Sequence, residues 1–212
     1  MYIPAHFAED DVAILHGAIR AFGLATLVTH TGDGLIASHL PLLLDPDRGP
    51  YGTLIGHVAR ANPQAKPSIG EALAIFQGPE GYVSPSLYAT KRETGKVVPT
   101  WNYAAVHAYG TPRFIEDKAS LLDIVTRLTH HHEAKRSLPW AVTDAPEEFV
   151  QGMLNAIIGF ELPIVRLEGK WKMSQNRPAA EHTGIVDGLR AGGQAALADM
   201  VAEVAARATA KA

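Results

Sequence analysis

The sequence predicts a mostly β, α+β fold in which a largely antiparallel sheet is flanked by helices. Several strand-like runs come before the first long helix that could connect parallel strands, so strand and helix do not alternate. Turn signals separate these runs, and Thr31-Gly32-Asp33-Gly34 is of the kind that closes a hairpin. No internal repeat is visible. Together these observations favour an antiparallel barrel or an open α+β sheet.

The first half of the chain opens with a helix and continues with strands. Apolar residues at helical spacing predict the helix between Val12 and Phe22, and Gly23 ends it. Residues 59–70 are predicted as a short helix or helical turn. β-rich runs bounded by turn residues predict strands at Leu24–His30, Leu35–Leu44, Tyr51–Val58 and Ala72–Phe76.

The second half is predicted as a loop, a long strand and then helices. Glycine, proline and a polar run make Gly78–Lys96 the loosest region. Strand character returns at Pro99–Ile115, and two short strands are expected around Glu168-Gly169. We predict one domain over residues 1–188 and a C-terminal helical extension over residues 189–212. Helical spacing predicts helices from near Asp117, over Phe149–Ile157 and over Leu197–Val204.

Composition limits the class of protein. Apolar residues make up 47% of the 212 residues, which is enough for a real core. The net charge of −3 argues against a broad grip on a phosphate backbone, because such proteins are usually basic. The absence of cysteine excludes disulfides, thiolate zinc sites and cysteine nucleophiles. No signal peptide and no apolar run of roughly 18 residues is present, so we expect a cytoplasmic protein.

The segment Val97–Gly110 has the most unusual side-chain chemistry. It reads as a strand, yet it carries amphipathic rings such as Trp101 and Tyr103. Asn102 and His107 add donors and acceptors that need partners when buried. Two interpretations stay open: a strand that lines a site for a flat, hydrogen-bonding ligand, and an amphipathic strand at a subunit interface.

The turn after the third strand is a candidate phosphate site. Between Gly56 and Gln64 the chain leaves a strand, and Arg60, Asn62 and main-chain N–H groups become available together. A phosphate needs this combination of fixed positive charge and neutral donors. His57 at the strand end supports a site, whereas a solvated strand-to-helix turn is the alternative.

Two further segments have both a functional and a structural interpretation. Pro41 cannot donate to a ladder, so Ser38–Leu44 is predicted to lie at a sheet edge or a bulge. Such an edge can present its main chain to a ligand, or the proline can simply prevent aggregation. The polar cluster of Gln175, Asn176 and Arg177 after a strand is either part of a site or a solvated turn.

Other motifs are excluded by their spacing. His130-His131-His132-Glu133 lies near a helix end, and consecutive helical residues point about 100° apart, so we predict no metal site. No glycine-rich dinucleotide or P-loop pattern occurs at a strand-to-helix junction. Ser84 lies outside a nucleophile elbow, and no pair of helices resembles a helix-turn-helix.

Several long motifs in a fixed order make this sequence similar to the PaiB family of FMN-binding negative transcriptional regulators, which have a split-barrel fold. The similarity runs along nearly the whole chain. It is carried by Met1–Pro4, His39–Leu43, Gly56–Gln64, Ile75–Pro79, Tyr82–Ser86, Lys96–Gly110, Gly159–Glu161, Gly169–Lys172 and Ser174–Arg177.

The resemblance implies an FMN-binding split β-barrel that forms a homodimer, with FMN near the dimer interface. By analogy with other flavin split barrels, the second and third strands and the following turn contact FMN. Pyridoxamine-phosphate oxidases of similar fold carry arginine and lysine where this chain has His39 and Leu44, which leaves Arg60 as the clearest cation. The candidate FMN contacts are His39, Leu40, Pro41, His57, Val58, Arg60, Asn62, Trp101, Asn102, Gln175 and Arg177.

The resemblance also implies a function as a negative transcriptional regulator. The alternative is a flavin-dependent oxidoreductase, or a haem-handling split-barrel relative, that does not bind DNA directly. No DNA-binding element is readable, and the clustered cations are confined to Lys91, Arg92 and Lys96. We therefore expect regulation through a ligand or a partner, with only weak DNA binding by the isolated protein.

Overall fold

The computed structural model describes residues 1–66 and 68–210, with side chains up to residue 208. The chain divides into two compact units, each built from segments that are distant in sequence. Unit 1 contains residues 1–11 and 77–106 and the chain from residue 168 onward. Unit 2 contains residues 12–76 and 107–167.

Within the described residues the strands are β1 (Ala8–Glu9), β2 (Leu24–Thr31), β3 (Gly34–Pro41), β4 (Leu43–Asp45), β5 (Thr53–Ala59), β6 (Ala72–Val83), β7 (Thr100–Gly110), β8 (Arg113–Ile115), β9 (Ile157–Pro163) and β10 (Arg166–Lys172). The helices are α1 (Val12–Phe22), α2 (Thr90–Glu93), α3 (Lys118–Glu133), α4 (Glu147–Leu154), α5 (Ala179–Ala191) and α6 (Ala195–Ala210). Short 3₁₀ turns lie at Ala5–Phe7, Pro63–Ala65, Pro85–Leu87 and Val142–Asp144.

Unit 1 is a sheet covered by the last two helices. Its strands lie in the order β1-β10-β7-β6, and Ala8 of β1 pairs antiparallel with Lys170 of β10. Gly81 of β6 allows α6 to approach closely, because a Cβ atom there would come within 2.9 Å of the Leu197 side chain. The buried side chains Ile185, Leu189 and Val201 form the apolar layer of α5 and α6.

Unit 2 contains an antiparallel hairpin and a second sheet. β2 pairs with β3 on one side and with Ala72–Phe76 of β6 on the other, and β3 is the last strand of that sheet. The second sheet has the order β4-β5-β9-β8. Helix α3 packs against it through Ile124 and Leu128, which share a core cluster with Leu43 and Ile55.

The predicted first hairpin and several helix ends are confirmed. The turn at Thr31–Gly34 joins β2 to β3, and Gly23 ends α1 with a φ of +68°, where glycine is favoured. Asp117 caps α3 by accepting a hydrogen bond from the Ser120 N–H at 2.9 Å. The strand predicted at Leu35–Leu44 is interrupted, because β3 ends at Pro41 and Leu43 begins β4 in the other sheet.

Three element predictions were wrong. The region from Gly78 was predicted as a loop, but β6 continues through Gly78-Pro79 to Val83. Ile157 was assigned to a helix because it follows Met153 by four residues, yet α4 ends at Leu154 and Ile157 begins β9. Glu168-Gly169 was predicted as a turn, but it lies inside β10.

Helix α5 was not predicted, and it extends through the boundary expected after residue 188. The division into residues 1–188 and 189–212 stays a prediction, of which residues 211 and 212 lie outside the described part. None of the described helices is both long and apolar enough to span a bilayer.

Candidate functional site

Strand β7 separates the candidate residues Trp101 and Asn102 by its alternation. Asn102 is fully buried and belongs to the face that also carries Ala104 and Val106. Trp101 and Tyr103 point the other way, and Trp101 is 49% exposed. Because successive strand residues point to opposite faces, these two neighbours belong to two different surfaces of unit 1.

On the Asn102 side lies a polar pocket with a cavity volume of about 160 Å³. The first and last segments of unit 1 meet β7 here. The lining residues, which we call the polar pocket, are Phe7, Thr100, Asn102, Lys172, Ser174, Asn176 and Arg177. Lys172 and Arg177 supply positive charge. Four other lining residues have neutral polar side chains, and Phe7 is the apolar one.

Asn102 is the most informative side chain of the polar pocket. Its Oδ1 accepts a hydrogen bond from the Ser174 hydroxyl at 3.0 Å. Its Nδ2 is buried and has no hydrogen-bond partner among the described residues. Leaving a buried donor unpaired costs about 1–3 kcal/mol, so this amide is placed for a ligand atom that accepts a hydrogen bond.

Lys172 stands beside this amide with part of its hydrogen-bonding capacity unused. Its Nζ donates to the Thr100 hydroxyl at 2.6 Å and to the Trp101 carbonyl at 2.8 Å. An ammonium group has three N–H donors, so one is left for a ligand. Burial lowers the pKa of Lys172 from its ordinary value, and the nearby Lys170 adds to this. A bound anion would raise this pKa.

Arg177 is positioned by the segment that precedes α2. Its guanidinium carbon lies 4.5 Å from the centroid of the buried Tyr88 ring. The next residues are held by Glu181 of α5, whose carboxylate accepts hydrogen bonds from the N–H groups of Ala89 at 2.7 Å and Thr90 at 3.1 Å. The ring that supports the guanidinium is therefore fixed in place by α5.

Gln175 holds the turn that carries Ser174. Its Oε1 accepts from the Met173 N–H at 2.7 Å, and its Nε2 donates to the Trp171 carbonyl. Ser174 has a φ of +61°, an uncommon conformation for a residue with a side chain. Gln175 thus supports the backbone of the polar pocket and does not line it, whereas Ser174 and Lys172 line it without having been singled out by the sequence.

Trp101 belongs to an exposed aromatic surface on the outward face. Its indole N–H donates to the Glu80 carboxylate, and its ring meets that of Tyr82 edge-on at 6.3 Å. Lys170 lies 5.2 Å from the centroid of the Tyr103 ring. A cavity of about 430 Å³ opens between Glu80, Trp101 and Tyr103.

Arg60 of unit 2 is already engaged by its own surroundings. Its guanidinium donates to the Glu116 carboxylate at 2.8 Å and to the carbonyls of Asn155 at 3.0 Å and Ile157 at 3.1 Å. Three of its five N–H donors are used in this way. Two donors are left, so Arg60 can still meet an anion, but only beside a carboxylate that already neutralises its charge.

Most other polar groups of this turn also have internal partners, but Oε1 of Gln64 is buried and has none among the described residues. Asn62 accepts from the Gln64 N–H at 2.9 Å and donates to the Ser38 hydroxyl at 3.0 Å. Gln64 is buried and donates to the Leu27 carbonyl and to the Thr29 hydroxyl, each at 3.0 Å. These bonds attach the turn to the β2–β3 hairpin.

The edge strand and β5 hold the remaining candidates. His39 is exposed on β3 and its Nδ1 lies 2.9 Å from the Thr26 hydroxyl. Leu40 is half-buried and Pro41 exposed at the end of the same strand. On β5, Val58 is buried in the core, whereas His57 lines a cavity and has an unpartnered Nδ1 among the described residues.

Comparison with known proteins places the chain in a family. A family model described as "Putative FMN-binding domain" matches residues 1–166. An uncharacterized protein of Emericella nidulans is 38% identical over 226 aligned positions, covering 89% of this chain and 90% of that protein. Protease synthase and sporulation protein PAI 2 of Bacillus subtilis is 30% identical over 192 positions, covering 90% of this chain and 89% of that protein.

Solved structures confirm the predicted fold class. The FAD and heme binding protein from Mycobacterium smegmatis matches with a TM-score of 0.57 at 16% identity, covering 78% of this chain and 73% of that one. The protein is therefore a flavin-type split β-barrel with peripheral helices. The chain belongs to the PaiB family, and its cofactor is FMN. Lys172, Ser174 and Arg177 lie just beyond the residues that the family model matches.

Proposed function

We propose that this protein is a PaiB-like negative regulator of transcription that uses FMN and holds the FMN phosphate in the polar pocket. The observation that carries the proposal is the buried Nδ2 of Asn102, which has no hydrogen-bond partner among the described residues and shares the polar pocket with two cationic side chains. When bound, FMN supplies reversible electron transfer. The side chains of this chain supply its binding and orientation.

The donor set of the polar pocket fits a phosphate group. A phosphate carries two negative charges or nearly so and accepts several hydrogen bonds at once. Lys172 and Arg177 offer the charge, and Asn102 and Thr100 offer neutral donors. The Ser174 hydroxyl, which donates to Oδ1 of Asn102, orients that amide. Hydrogen bonds to charged groups are worth about 1.5–3 kcal/mol each, so such a site can dominate the affinity for FMN.

Arg60 is the competing phosphate ligand, since the sequence singles it out as the clearest cation. The carboxylate of Glu116 offsets its charge, and two carbonyls occupy further donors. We therefore assign Arg60 to the support of the β5 turn. The flavin contacts expected of His39, Leu40, Pro41, His57, Val58, Asn62 and Trp101 stay predictions.

A comparison of FMN with riboflavin tests the phosphate assignment, because riboflavin lacks the phosphate. Binding of each flavin to the wild type, Lys172→Met and Arg60→Ala is measured by quenching of flavin fluorescence. We expect Lys172→Met to weaken the binding of FMN by about tenfold or more, the equivalent of roughly 1.5 kcal/mol. The affinity for riboflavin should not change.

Each other outcome has a distinct meaning. An FMN-specific loss in Arg60→Ala but not in Lys172→Met would move the phosphate to the β5 turn. Equal losses of both flavins in Lys172→Met would mean that the polar pocket contacts the flavin ring. Lys91→Met, on the exposed α2, is the matched control and leaves both affinities unchanged.

The proposed oligomer is a homodimer formed through the outward aromatic face of unit 1. Trp101 and Tyr82 are each 49% exposed and stand next to one another. Exposed rings of this kind are typical of interaction surfaces. Sedimentation of the wild type and of Trp101→Glu tests this proposal. We expect the wild type to be a dimer and Trp101→Glu to be a monomer. A monomeric wild type at micromolar concentration would contradict the proposal.

Regulation in the cytoplasm through the flavin or a partner fits the charge of the chain better than a direct grip on DNA. The net charge is −3, and Lys91 and Arg92 lie on a helix of only four residues. We expect weak DNA binding that does not depend on sequence in a gel-shift assay at physiological salt. Nanomolar, promoter-specific binding would contradict this.

A flavin-dependent oxidoreductase is the second candidate function. Oxidation of NADH by the FMN-bound protein, without any effect on transcription, would favour it.

A further inference from the structure

Helix α5 holds a surface segment of unit 1, residues 87–96, which we call the strap. The carboxylate of Glu181, near the start of α5, accepts hydrogen bonds from the N–H groups of Ala89 at 2.7 Å and Thr90 at 3.1 Å. It also accepts from the Thr90 hydroxyl. Glu181 is 3% exposed, and the hydrogen bond from the Thr90 hydroxyl is the main cause of its lowered pKa. A buried carboxylate of α5 therefore binds the strap through three donors.

Two glycines further along α5 let the strap come close to the helix. A Cβ atom on Gly184 would lie 2.5 Å from the carbonyl oxygen of Leu87, and one on Gly188 would lie 2.2 Å from the Leu87 side chain. Both distances are shorter than van der Waals contact. Glycine weakens a helix interior relative to alanine, so these two positions favour close docking of the strap over the stability of α5 itself.

The docked strap supports the polar pocket through Tyr88. This ring is 2% exposed, and the guanidinium carbon of Arg177 lies 4.5 Å from its centroid. In this position Arg177 also lines the polar pocket. A guanidinium can stack on an aromatic ring with its face and still donate hydrogen bonds from its edge. Arg177 can therefore rest on Tyr88 and bind a phosphate at the same time.

The second half of the strap is exposed and carries most of its charge. Residues 91–96 are all exposed, and they include the cations Lys91, Arg92 and Lys96. Helix α2 has only four residues and no large apolar side chain. Segments with few buried apolar contacts open locally at a low cost in free energy. The contacts that α5 makes with residues 87–90 therefore decide whether the strap is docked.

We propose that Glu181 is a positioning residue for FMN, and that the docked strap and the bound FMN phosphate stabilise each other. This inference rests on the proposed function, in which Arg177 binds the phosphate. Glu181 docks the strap, and the docked Tyr88 holds Arg177 at the polar pocket. A phosphate bound to Arg177 holds Tyr88 in return, because coupling between two equilibria is reciprocal. A regulator built in this way changes the order of a cationic surface segment when FMN binds.

Hydrogen exchange of the Ala89 and Thr90 N–H groups tests the coupling, because both groups donate to Glu181 when the strap is docked. The rates are measured by NMR on the full chain without flavin, with saturating FMN and with saturating riboflavin. We expect FMN to slow the exchange by about fivefold or more, the lower end of typical coupling between sites. Riboflavin lacks the phosphate and should have no effect. Equal rates with and without FMN, or equal protection by the two flavins, would overturn the proposal.

Gly184→Ala tests the positioning role without removing a polar group. The added methyl group forces the Leu87 carbonyl away from α5, while alanine favours the helix. We expect the affinity for FMN to fall by about fivefold or more, and the affinity for riboflavin to stay unchanged. Glu181→Gln, which removes the charge and one acceptor oxygen, should act in the same direction. Gly17→Ala in α1 is the matched control, since a Cβ atom there meets no atom within 4 Å, and it should change neither affinity.

Arg177→Met separates a failure of this inference from a failure of the proposed function. We expect Arg177→Met to lose affinity for FMN alone, and Gly184→Ala to add nothing in that background, because its effect passes through Arg177. Retained binding of riboflavin shows that each variant is folded. If Arg177→Met loses FMN while Gly184→Ala and Glu181→Gln bind it normally, the phosphate assignment holds and the positioning role is wrong. If Arg177→Met binds FMN normally, the phosphate lies elsewhere and both proposals are wrong.

Discussion

The polar pocket of unit 1 and the apolar cavity of unit 2 are each lined by a residue with one buried side-chain nitrogen that has no hydrogen-bond partner in the described part of the chain. Beside Nδ2 of Asn102 stand Lys172 and Arg177. The apolar cavity lies among β5, β9, α3 and α4, and apart from Thr129 the residues that line it with His57 are apolar. The two residues therefore lie in different environments, and the surrounding residues decide whether a charge can be stabilised.

Burial lowers the pKa of a base in both places, yet the consequences differ. Lys172 keeps hydrogen-bond acceptors at its Nζ, namely the Thr100 hydroxyl and the Trp101 carbonyl. A bound anion would add to these and favour the ammonium form. Nδ1 of His57 has no such acceptor among the residues that the structure describes, and burial lowers the pKa of His57, which favours the neutral ring. The polar pocket is therefore suited to an anion, and the apolar cavity is not.

The largest expected effect is the loss of an apolar wall. Leu154→Ala removes a side chain that is 2% exposed, and substitutions of this kind cost about 2–5 kcal/mol. We expect a lower free energy of unfolding in urea. FMN binding to the folded protein should not change. If Leu154→Ala loses FMN affinity while it is fully folded in the absence of urea, the apolar cavity contributes to FMN binding and this prediction is wrong.

The corresponding change in the polar pocket should act on binding and not on stability. Asn102→Leu keeps most of the volume and removes the unpartnered amide. The substitution removes the unpaired Nδ2 but leaves the buried Ser174 hydroxyl without its acceptor. Each unpaired buried group costs about 1–3 kcal/mol, so the two effects offset each other and we expect little net change in the free energy of unfolding without FMN. FMN should bind about tenfold or more weakly, since a hydrogen bond to a charged group is worth roughly 1.5–3 kcal/mol. A large loss of stability with normal FMN affinity would show that Asn102 serves the fold alone.

A matched pair of variants isolates the backbone of the polar pocket. Ser174→Ala and Ser174→Gly both remove the hydroxyl that donates to Asn102. Residue 174 has a φ of +61°. This left-handed conformation costs a residue with a Cβ atom roughly 1–2 kcal/mol, and glycine does not pay this cost. We expect Ser174→Gly to be the more stable of the two by about 1 kcal/mol in urea denaturation. Equal stabilities would show that the turn relaxes.

The smallest expected effect is a pH dependence from His57. Its folded pKa lies below the unfolded value of 6.5, so the ring is neutral in both states at pH 7.5 and has no effect there. As the pH falls below 6.5, the unfolded chain binds a proton that the folded chain does not. The urea midpoint should therefore drop between pH 7.5 and 5.5, and the drop should be smaller in His57→Leu. An equal drop in both proteins would contradict this.

Local signals in the sequence were sufficient for much of the fold. Gly23 and Asp117 act at the ends of their own helices, and the β2–β3 turn is contained in four residues. The wrong predictions arise where one local sequence pattern is compatible with two different structures. Gly78-Pro79 is typical of a turn, but here it lies within β6. Helix α5 has few large apolar residues, and it packs on α6 and on the Pro85–Leu87 turn, which are distant in sequence or not visible in a local pattern.

The sequence predicted individual residues of the candidate site but not the contacts between them. Asn102 and Arg177 were among the predicted FMN contacts, and both line the polar pocket, while their contact with FMN stays a prediction. Lys172 was visible only as part of a motif, because the Thr100 hydroxyl that it contacts is 72 residues away in the chain. The capture of Arg60 by Glu116 was equally hidden. Such partners depend on which strands become neighbours, and a local pattern does not contain that information.

The separation in sequence of the residues in the polar pocket has a consequence for biosynthesis. Asn102 emerges from the ribosome 72 residues before Ser174. At ~5–20 residues per second this interval lasts roughly 4–14 s. During that time the Asn102 amide has no Ser174 hydroxyl to meet, and the pocket has no Lys172 or Arg177. A nascent chain can therefore capture its cofactor through the polar pocket only after Arg177 has left the ribosome.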